Sequence, residues 1–401
     1  MNLQSQEATS DSRPRQIRQP EGCIPSKSST HHICMGFSEL SLGGTKLKYK
    51  SPNMTRSTAL TAALIVGSFM TTTADAQNID FNHDGLTRQY RIHIPPQVSE
   101  STALVFVLHG YGGGNNDMQN NYGWTQLANQ HGFVVAFPNG TRDPDNQRFW
   151  DVDYDFHQGI DVDDDGFLRE LALYLQTEHD LDPDRTFVTG FSNGAEMCFQ
   201  LACRESETFM ATAPIIGMML DTLFTNCNPT IVRPMLSMNG TADGVTWFGG
   251  DMGNAGGWGA YRPIQETMDF WGDKMQSQSI TSTDLPDLDP SDGSTVRLDV
   301  YSSFFNTLKL RYYLVLNGGH DWPGNSGNRD INATNEVWNF FSEINAPVPN
   351  PADITNDGSV NGSDLALVLA YWGTNNPLAD INNDGIVNAE DITYILGSWT
   401  S

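Results

Sequence analysis

The chain has 401 residues, 38% of them hydrophobic and 10% aromatic, enough to bury one large core and a smaller one. Its formal net charge is −26; after residue 76 there are 14 Lys/Arg against 43 Asp/Glu, and before it 8 against 5. Such a surface repels nucleic acid and anionic membranes, because phosphate binding needs clustered Lys/Arg; it suits a neutral substrate, calcium, a salty exterior or plain solubility.

The first feature in chain order is a targeting segment. Arg56 precedes the apolar run 59–70, and Ala74-Asp75-Ala76 forms a small-residue cleavage site before Gln77. The run is too short to span a bilayer, and no lipid-attachment cysteine follows it. Residues 54–76 are therefore expected to be a signal peptide that starts at Met54, and the protein is expected to be secreted. Residues 1–53 are then a non-native extension of the reading frame. A short core helix is the alternative for the apolar run. No later segment reads as a membrane span.

Asp80-Phe81-Asn82-His83-Asp84-Gly85 imitates the start of a calcium loop. Its ligand positions 9 and 12 fall on Arg88 and Arg91, so a turn before the opening strand is expected instead. Residues 104–108, 133–137, 186–189, 234–238 and 312–316 are short continuous apolar runs. Runs of that kind form a parallel sheet covered on both faces. Helical spacing appears at 167–175, 195–202 and 334–341. The alternation predicts a doubly wound, mostly parallel α/β domain over residues 77–344. Asp161-Val162-Asp163-Asp164-Asp165-Gly166 is a second false calcium loop, with Arg169 and Ala172 at positions 9 and 12. It reads as an acidic helix N-terminus, which the helix dipole favours.

Gly190-Phe191-Ser192-Asn193-Gly194 matches G-x-S-x-G directly after a strand and directly before a helix. In that context the strand turns sharply into the helix and lifts the Ser192 hydroxyl above the sheet. A Gly/Ser turn without chemistry is the bland alternative. A serine hydroxyl needs a base, and the base needs an orienting acid. Asp243 and His320 each lie one loop beyond a predicted strand, in the order Ser192, Asp243, His320 expected of α/β-hydrolases. Asp321 adjoins the base, but a neighbouring side chain generally points elsewhere. The oxyanion donors are expected to be the backbone amides of Asn193 and of Tyr111, the latter in His109-Gly110-Tyr111-Gly112-Gly113-Gly114. His109 is expected to hold that loop and stands outside the triad. Trp150, Trp247 and Trp322 are candidates for the substrate pocket, with core packing as the alternative.

Three cysteines lie beyond the leader: Cys198, Cys203 and Cys227. An odd count permits at most one intrachain disulfide. Cys198 and Cys203 sit five apart on a predicted helix and point in different directions, so Cys203–Cys227 is the preferred bridge. Three buried thiols are the alternative.

These motifs together resemble the secreted esterase family that includes polyhydroxybutyrate depolymerase-like enzymes, feruloyl esterases and acetylxylan esterases. The resemblance runs over about residues 86–344. It is carried by segments 84–90, 109–113, 162–168 and 182–185, by Gly190-Phe191-Ser192-Asn193-Gly194, by Gly240-Thr241-Ala242-Asp243 and by Gly319-His320-Asp321-Trp322-Pro323-Gly324. It implies Ser192 as nucleophile, His320 as base and Asp243 as acid. The chain departs from the family at Asn239, where His is common, and at Ala195, where Gly is usual.

Pro347-Val348-Pro349-Asn350-Pro351 breaks the α/β pattern, and residues 345–352 read as a semi-rigid linker. Residues 353–401 form a small, expectedly all-α module with two calcium loops in register. In the first loop, Asp353, Thr355, Asp357, Asn361 and Asp364 place side-chain oxygens at positions 1, 3, 5, 9 and 12, and Ser359 offers its carbonyl at position 7. Twenty-seven residues on, Asp380, Asn382, Asp384, Asn388 and Asp391 repeat the scheme, with the Ile386 carbonyl between. Thr355 is a weaker ligand than Asn382. The tail resembles a dockerin, which implies two bound Ca2+ ions and a cohesin-type partner.

The expected activity is hydrolysis through an acyl-enzyme, with no catalytic cofactor. The dockerin-like tail favours a polymeric substrate, feruloyl or acetyl esters of plant polysaccharide. A polyhydroxyalkanoate depolymerase is the rival within hydrolases, and a peptidase on the same fold is a weaker one. The rival from another class is a non-catalytic, calcium-dependent scaffold module that has kept an esterase fold.

Overall fold

The structure is a computed structural model that describes residues 77–303, 309–344, 350–355, 359–382 and 384–400. The expected leader at 54–76, the extension 1–53, most of the linker and Asp357 lie outside the described residues.

In chain order the elements are β1 (Ile79–His83), β2 (Leu86–His93), β3 (Leu104–Leu108), α1 (Asn115–Asn121), α2 (Trp124–His131), β4 (Val134–Asn139), β5 (Thr141–Arg142), β6 (Arg148–Phe149), α3 (Asp164–His179), β7 (Thr186–Phe191) and α4 (Asn193–Arg204). There follow β8 (Ala211–Ile215), α5 (Asp221–Asn226), β9 (Met235–Gly240), α6 (Ile264–Lys274), β10 (Ser277–Asp284), β11 (Thr295–Ser303), β12 (Lys309–Leu316) and α7 (Ala333–Ser342). Two tail helices close the chain, α8 (Gly362–Ala370) and α9 (Ala389–Gly397).

Ten strands make one sheet in the order β1-β2-β4-β3-β7-β8-β9-β12-β11-β10. Its centre, β4-β3-β7-β8-β9-β12, is parallel throughout. Antiparallel strands finish both edges. Every residue of β3 is fully buried, and alternate ones feed opposite faces. Leu104, Phe106 and Leu108 join the core built with α3, α4 and α6, while Val105 and Val107 join that of α1, α2 and α7. That is the doubly wound arrangement: a period-2 strand needs a helix layer on each face. The architecture is the α/β-hydrolase fold.

All five predicted strands are present as β3, β4, β7, β9 and β12. Several elements escaped the reading, and three of them are instructive. Ala211-Thr212-Ala213-Pro214-Ile215 is a central strand, although a proline normally argues against one. β10 is polar and exposed along most of its length, so no apolar pattern marked it. The first false calcium loop was expected to be a turn before a strand. Only Asp84 and Gly85 turn; residues 79–83 form an antiparallel strand against β2. The second is a helix start, in which the Asp163 side chain accepts from the Gly166 amide and caps α3.

Cys203 and Cys227 are disulfide-bonded, tying the end of α4 to the end of α5, and Cys198 is a buried free thiol. In the tail, Ala352, Val360, Val368, Ala379, Val387 and Ile395 form a small core of their own. Asn361 and Asn388 open α8 and α9 with matching capping boxes closed by Asp364 and Asp391. Among the described residues no helix is long and apolar enough to cross a membrane.

The turn from β7 into α4 runs against β3 at backbone distance. A Cβ on Gly194 would meet the Leu108 carbonyl oxygen at 2.6 Å, and one on Gly190 would meet the Gly194 carbonyl oxygen at 2.4 Å. These atoms are backbone and cannot swing away. Gly194→Ala should therefore lower the unfolding free energy by about 1–3 kcal/mol, read as a lower urea midpoint at unchanged slope. An unchanged midpoint would show that the two segments can separate freely.

Candidate active site

Ser192 has φ 55° and ψ −120°, a conformation a serine adopts only under constraint. Its amide donates to the Ile215 carbonyl at 3.0 Å, while its own carbonyl accepts from Ala195 and Glu196 in the first turn of α4. The hydroxyl is thereby presented at the C-terminal end of β7, above the N-terminus of a helix. The Ser192 Oγ lies 3.0 Å from His320 Nε2. The His320 Nδ1 lies 2.8 Å from Asp243 Oδ2. The other oxygen of Asp243 accepts from the amides of Val245 and Thr246 at 2.7 and 2.9 Å. Those bonds hold the carboxylate in place, and its bond to Nδ1 favours the His320 tautomer that leaves Nε2 free to accept from Ser192. The Asp243 side chain is almost wholly buried and His320 is partly open, packed against the Phe191 ring at 5.2 Å. Asp321 takes no part in holding the imidazole.

The glycine loop after β3, where one of the oxyanion donors was expected, is built by a second set of bonds. His109 Nε2 accepts from the Gly140 amide at 3.0 Å, so Nδ1 carries the proton and donates to the Gly110 carbonyl at 2.8 Å. Burial pulls the His109 imidazole down to about 4, against that bond to Gly110. Trp150 Nε1 donates to the His109 carbonyl at 2.9 Å. The Trp150 backbone is clamped by the Asn193 side chain: its amide donates to Oδ1 at 2.7 Å and its carbonyl accepts from Nδ2 at 3.1 Å. One tryptophan thus links the glycine loop to the residue after Ser192. Among the described residues, the backbone amides of Tyr111 and Asn193 donate to no protein acceptor. The Tyr111 hydroxyl donates to Asp143, which also receives the Gln147 amide at 2.8 Å and His157 Nε2 at 3.3 Å.

Trp150 and Trp322 are buried, so neither offers a ring to solvent; Trp322 donates to Thr334 Oγ1 at 3.2 Å. Core packing is the reading that fits both. Trp247 is exposed, four residues after Asp243. The aromatic wall beside Tyr111 is instead made by Tyr154, Phe156 and Trp258, with ring centroids 5.8–6.4 Å from the Tyr111 ring. Sequence reasoning missed these residues, because they come from irregular segments that carry no periodicity. It also missed Glu196, whose buried carboxylate accepts from the Tyr154 hydroxyl. A signal existed there: Glu196 is an acid within a largely apolar helix, one turn after Ser192.

Residues 88–239 match the family model described as esterase PHB depolymerase. Residues 351–396 match the dockerin type I domain, a calcium-binding module. NocK of Nocardia uniformis subsp. tsuyamanensis is 31% identical over 169 residues, which are 41% of this chain and 48% of that protein. The bifunctional acetylxylan esterase/xylanase XynS20E of Neocallimastix patriciarum is 22% identical over 66% of this chain and 35% of its own length. The chain therefore spans less than half of each of these relatives. The acetyl xylan esterase from Aspergillus awamori aligns over 66% of this chain and 98% of its own, with 15% identity and a TM-score of 0.47.

In the dockerin-matching tail, Asp364 and Asp391 are fully buried, and residues 350–401 contain no Lys, Arg or His. Buried carboxylates without a basic side chain call for a cation or a dense set of amide donors. The described geometry has the donors. Asp364 Oδ1 accepts from the Thr355 amide and hydroxyl, both at 2.9 Å, so the Thr355 hydroxyl is turned to Asp364. Asp380 receives the amides of Asp384 and Gly385 at 3.0 and 2.8 Å. Asp391 Oδ1 receives the Ile381 amide at 2.7 Å. Asn361 and Asn388 accept from the Ser363 and Glu390 amides as helix caps. Among the described residues no three His, Cys, Asp or Glu groups converge on a metal position. The donor set mixes carboxylate, amide, hydroxyl and carbonyl oxygens, which suits calcium over a softer ion.

The buried His109 makes a prediction about stability. Its folded pKa lies below the unfolded one, so the unfolded chain binds the extra proton. The stability due to its neutral form is complete above about pH 6.5 and is lost as pH falls towards 4, a cost of roughly 3 kcal/mol. Urea unfolding from pH 7 to pH 4 should fall more steeply for the parent than for His109→Gln. Parallel slopes would count against a neutral, buried His109.

Proposed function

We propose that the chain is a secreted serine carboxylic-ester hydrolase that works through an acyl-enzyme. The carrying observation is the run Ser192 Oγ, His320 Nε2, His320 Nδ1, Asp243 Oδ2, with separations of 3.0 and 2.8 Å. Ser192 attacks the ester carbonyl carbon as His320 Nε2 takes its proton. The carbonyl π electrons move to oxygen, where the Tyr111 and Asn193 amides receive the charge. Collapse expels the alcohol, which leaves with the proton from His320. Water then gives a proton to His320 and attacks the acyl carbon, and Ser192 is regained as the acid departs. Asp243 stays ionised and holds the imidazolium in place.

The supported substrate class is an ester carried on plant polysaccharide, feruloyl or acetyl. A catalytic domain over 77–344 joined to a cohesin-binding module over 353–401 would hold such an enzyme on a polymer-degrading assembly. In that module Asp353, Thr355, Asp357, the Ser359 carbonyl, Asn361 and Asp364 would hold one Ca2+. Asp380, Asn382, Asp384, the Ile386 carbonyl, Asn388 and Asp391 would hold a second. Bound calcium supplies positive charge to acids that have no basic partner of their own.

Ser192→Ala should lower turnover of a short p-nitrophenyl ester by roughly 10⁴-fold while leaving the fold intact by circular dichroism. An unaffected variant removes Ser192 from the mechanism. Product analysis on feruloylated xylan, acetylated xylan and polyhydroxybutyrate film separates the substrate classes, and release only from the film would assign the polyester reading. For the tail, equilibrium dialysis of the full chain should count two Ca2+ ions. Asp380→Ala should remove one of them and leave the other. Retention of both would refute the second loop as a site.

A further inference from the structure

Most of the turn between β5 and β6 faces water. Residues 142 and 144–147 are exposed, yet Asp143 among them is buried, with 2% of its side chain open. A turn aspartate commonly caps its own turn and keeps its charge in solvent. Asp143 does cap: its Oδ1 accepts from the Gln147 amide at 2.8 Å, and its own amide donates to the Gln147 carbonyl at 2.9 Å. Its other oxygen is turned inward, where it accepts from the Tyr111 hydroxyl and lies 3.3 Å from His157 Nε2. Among the described residues His157 Nδ1 finds no partner, so the proton of the neutral ring belongs on Nε2, where Asp143 receives it. A buried carboxylate with three donors is held in one place, and it holds Tyr111.

Tyr111 stands next to the candidate nucleophile. A Cβ on Gly110 would lie 3.3 Å from the Ser192 Cβ, so the peptide joining Gly110 to Tyr111 passes along Ser192. The Gly110 carbonyl accepts from His109 Nδ1 at 2.8 Å and from the Gly113 amide at 3.0 Å. A trans peptide is planar, so the Tyr111 N–H points the opposite way. The next peptide is tied as well: the Gly112 amide donates to the Arg148 carbonyl at 2.7 Å. Arg148 pairs with Arg142, the residue before Asp143, so one hairpin grips Tyr111 by its backbone and by its side chain. The rings of Tyr154, Phe156 and Trp258 surround the phenol with centroids 5.8–6.4 Å away, but only the bond to Asp143 fixes its polar end.

We propose that Asp143 is a positioning residue for the reaction: by holding the Tyr111 hydroxyl it keeps the Tyr111 amide aimed at the oxyanion formed when Ser192 attacks. The inference rests on the hydrolase reading above. Asp143 touches no reacting atom. Its effect falls on the transition state, because the amide bonds the ester oxygen more strongly as charge grows there. Outright loss of an oxyanion donor costs about 10²–10³ in kcat, and slackening one of two should cost less, about tenfold.

The test compares two substrates on the full chain: p-nitrophenyl acetate, and its thiono analogue with sulfur in place of the carbonyl oxygen. Sulfur is a poor hydrogen-bond acceptor, so the thionoester gains little from an oxyanion amide. Tyr111→Phe keeps the ring and removes the bond to Asp143. It should lower kcat for the acetate about tenfold with KM changed by less than about twofold, and slow the thionoester by less than about twofold. A merely structural role slows both esters by one factor, so equal losses, or none, overturn the proposal. Asp143→Asn leaves one oxygen for three donors and should show the same selective loss. The double variant should stay within about twofold of the slower single one, and losses that multiply overturn the proposal by showing that the two residues act separately. Where Asp143→Asn fails to fold, the Tyr111→Phe comparison decides alone. A parent that turns over no ester refutes the hydrolase reading and this proposal with it; an active parent with equal losses in the variant refutes this proposal alone.

Discussion

The constraint on which the rest depends is the close approach of two backbones, the turn from β7 into α4 and the end of β3. Only glycine at 190 and 194 lets the Leu108 and Gly194 carbonyls come so near. That approach forces Ser192 to a positive φ and aims its hydroxyl off the sheet. It also brings the loop after β3 beside the residue after Ser192. The proposed nucleophile and oxyanion donors are thus placed by one packing event. The strain at Ser192 is held by its neighbours: the Ile215 carbonyl takes its amide, and the first turn of α4 takes its carbonyl.

On the proposed mechanism, the polar side chains around this turn fall into those that react and those that fix. His320 is open on one side and bonded to Asp243 on the other, so it can exchange a proton with Ser192. His109, only two residues from Tyr111, cannot: both nitrogens are committed to backbone groups and burial keeps it neutral. Identical side chains are sorted by what surrounds them. Trp150 shows the same division. It lies in the core and meets no solvent, but its indole and backbone tie His109 to Asn193. Its effect on the site is through the placement of two amides.

What was readable in the sequence follows from which residues signal alone. Five of the six central strands are continuous apolar runs, and G-x-S-x-G lies where one of them ends, so the sharp turn at Ser192 and the order of Asp243 and His320 were legible. The 27-residue repeat made the tail's paired loops legible in the same way. The strand at 211–215 was hidden because Ala, Thr and Pro carry little periodic contrast. The aromatic wall was hidden because Tyr154, Phe156 and Trp258 meet only after distant loops fold together. Trp150 and Trp322 misled because position near a motif says nothing about which way a side chain faces. Glu196 was an available clue passed over, a charge within a largely apolar helix.

That clue bears on how a chain with such an excess of acid can bury so many carboxylates. Exterior acids are screened by water and salt and add little to or subtract little from the fold. Interior acids need a specific answer, and this chain gives several. Asp243 uses an imidazole and two amides; Asp164 uses the Arg88 guanidinium. Asp364 and Asp391 in the tail use backbone amides and, on the reading above, a calcium ion. Asp251 and Asp330 use backbone amides, while Glu196 accepts from the Tyr154 hydroxyl and burial raises its proton affinity. The Glu196 amide donates to the Ser192 carbonyl, so the helical turn that fixes the serine is also the one that buries this carboxylate.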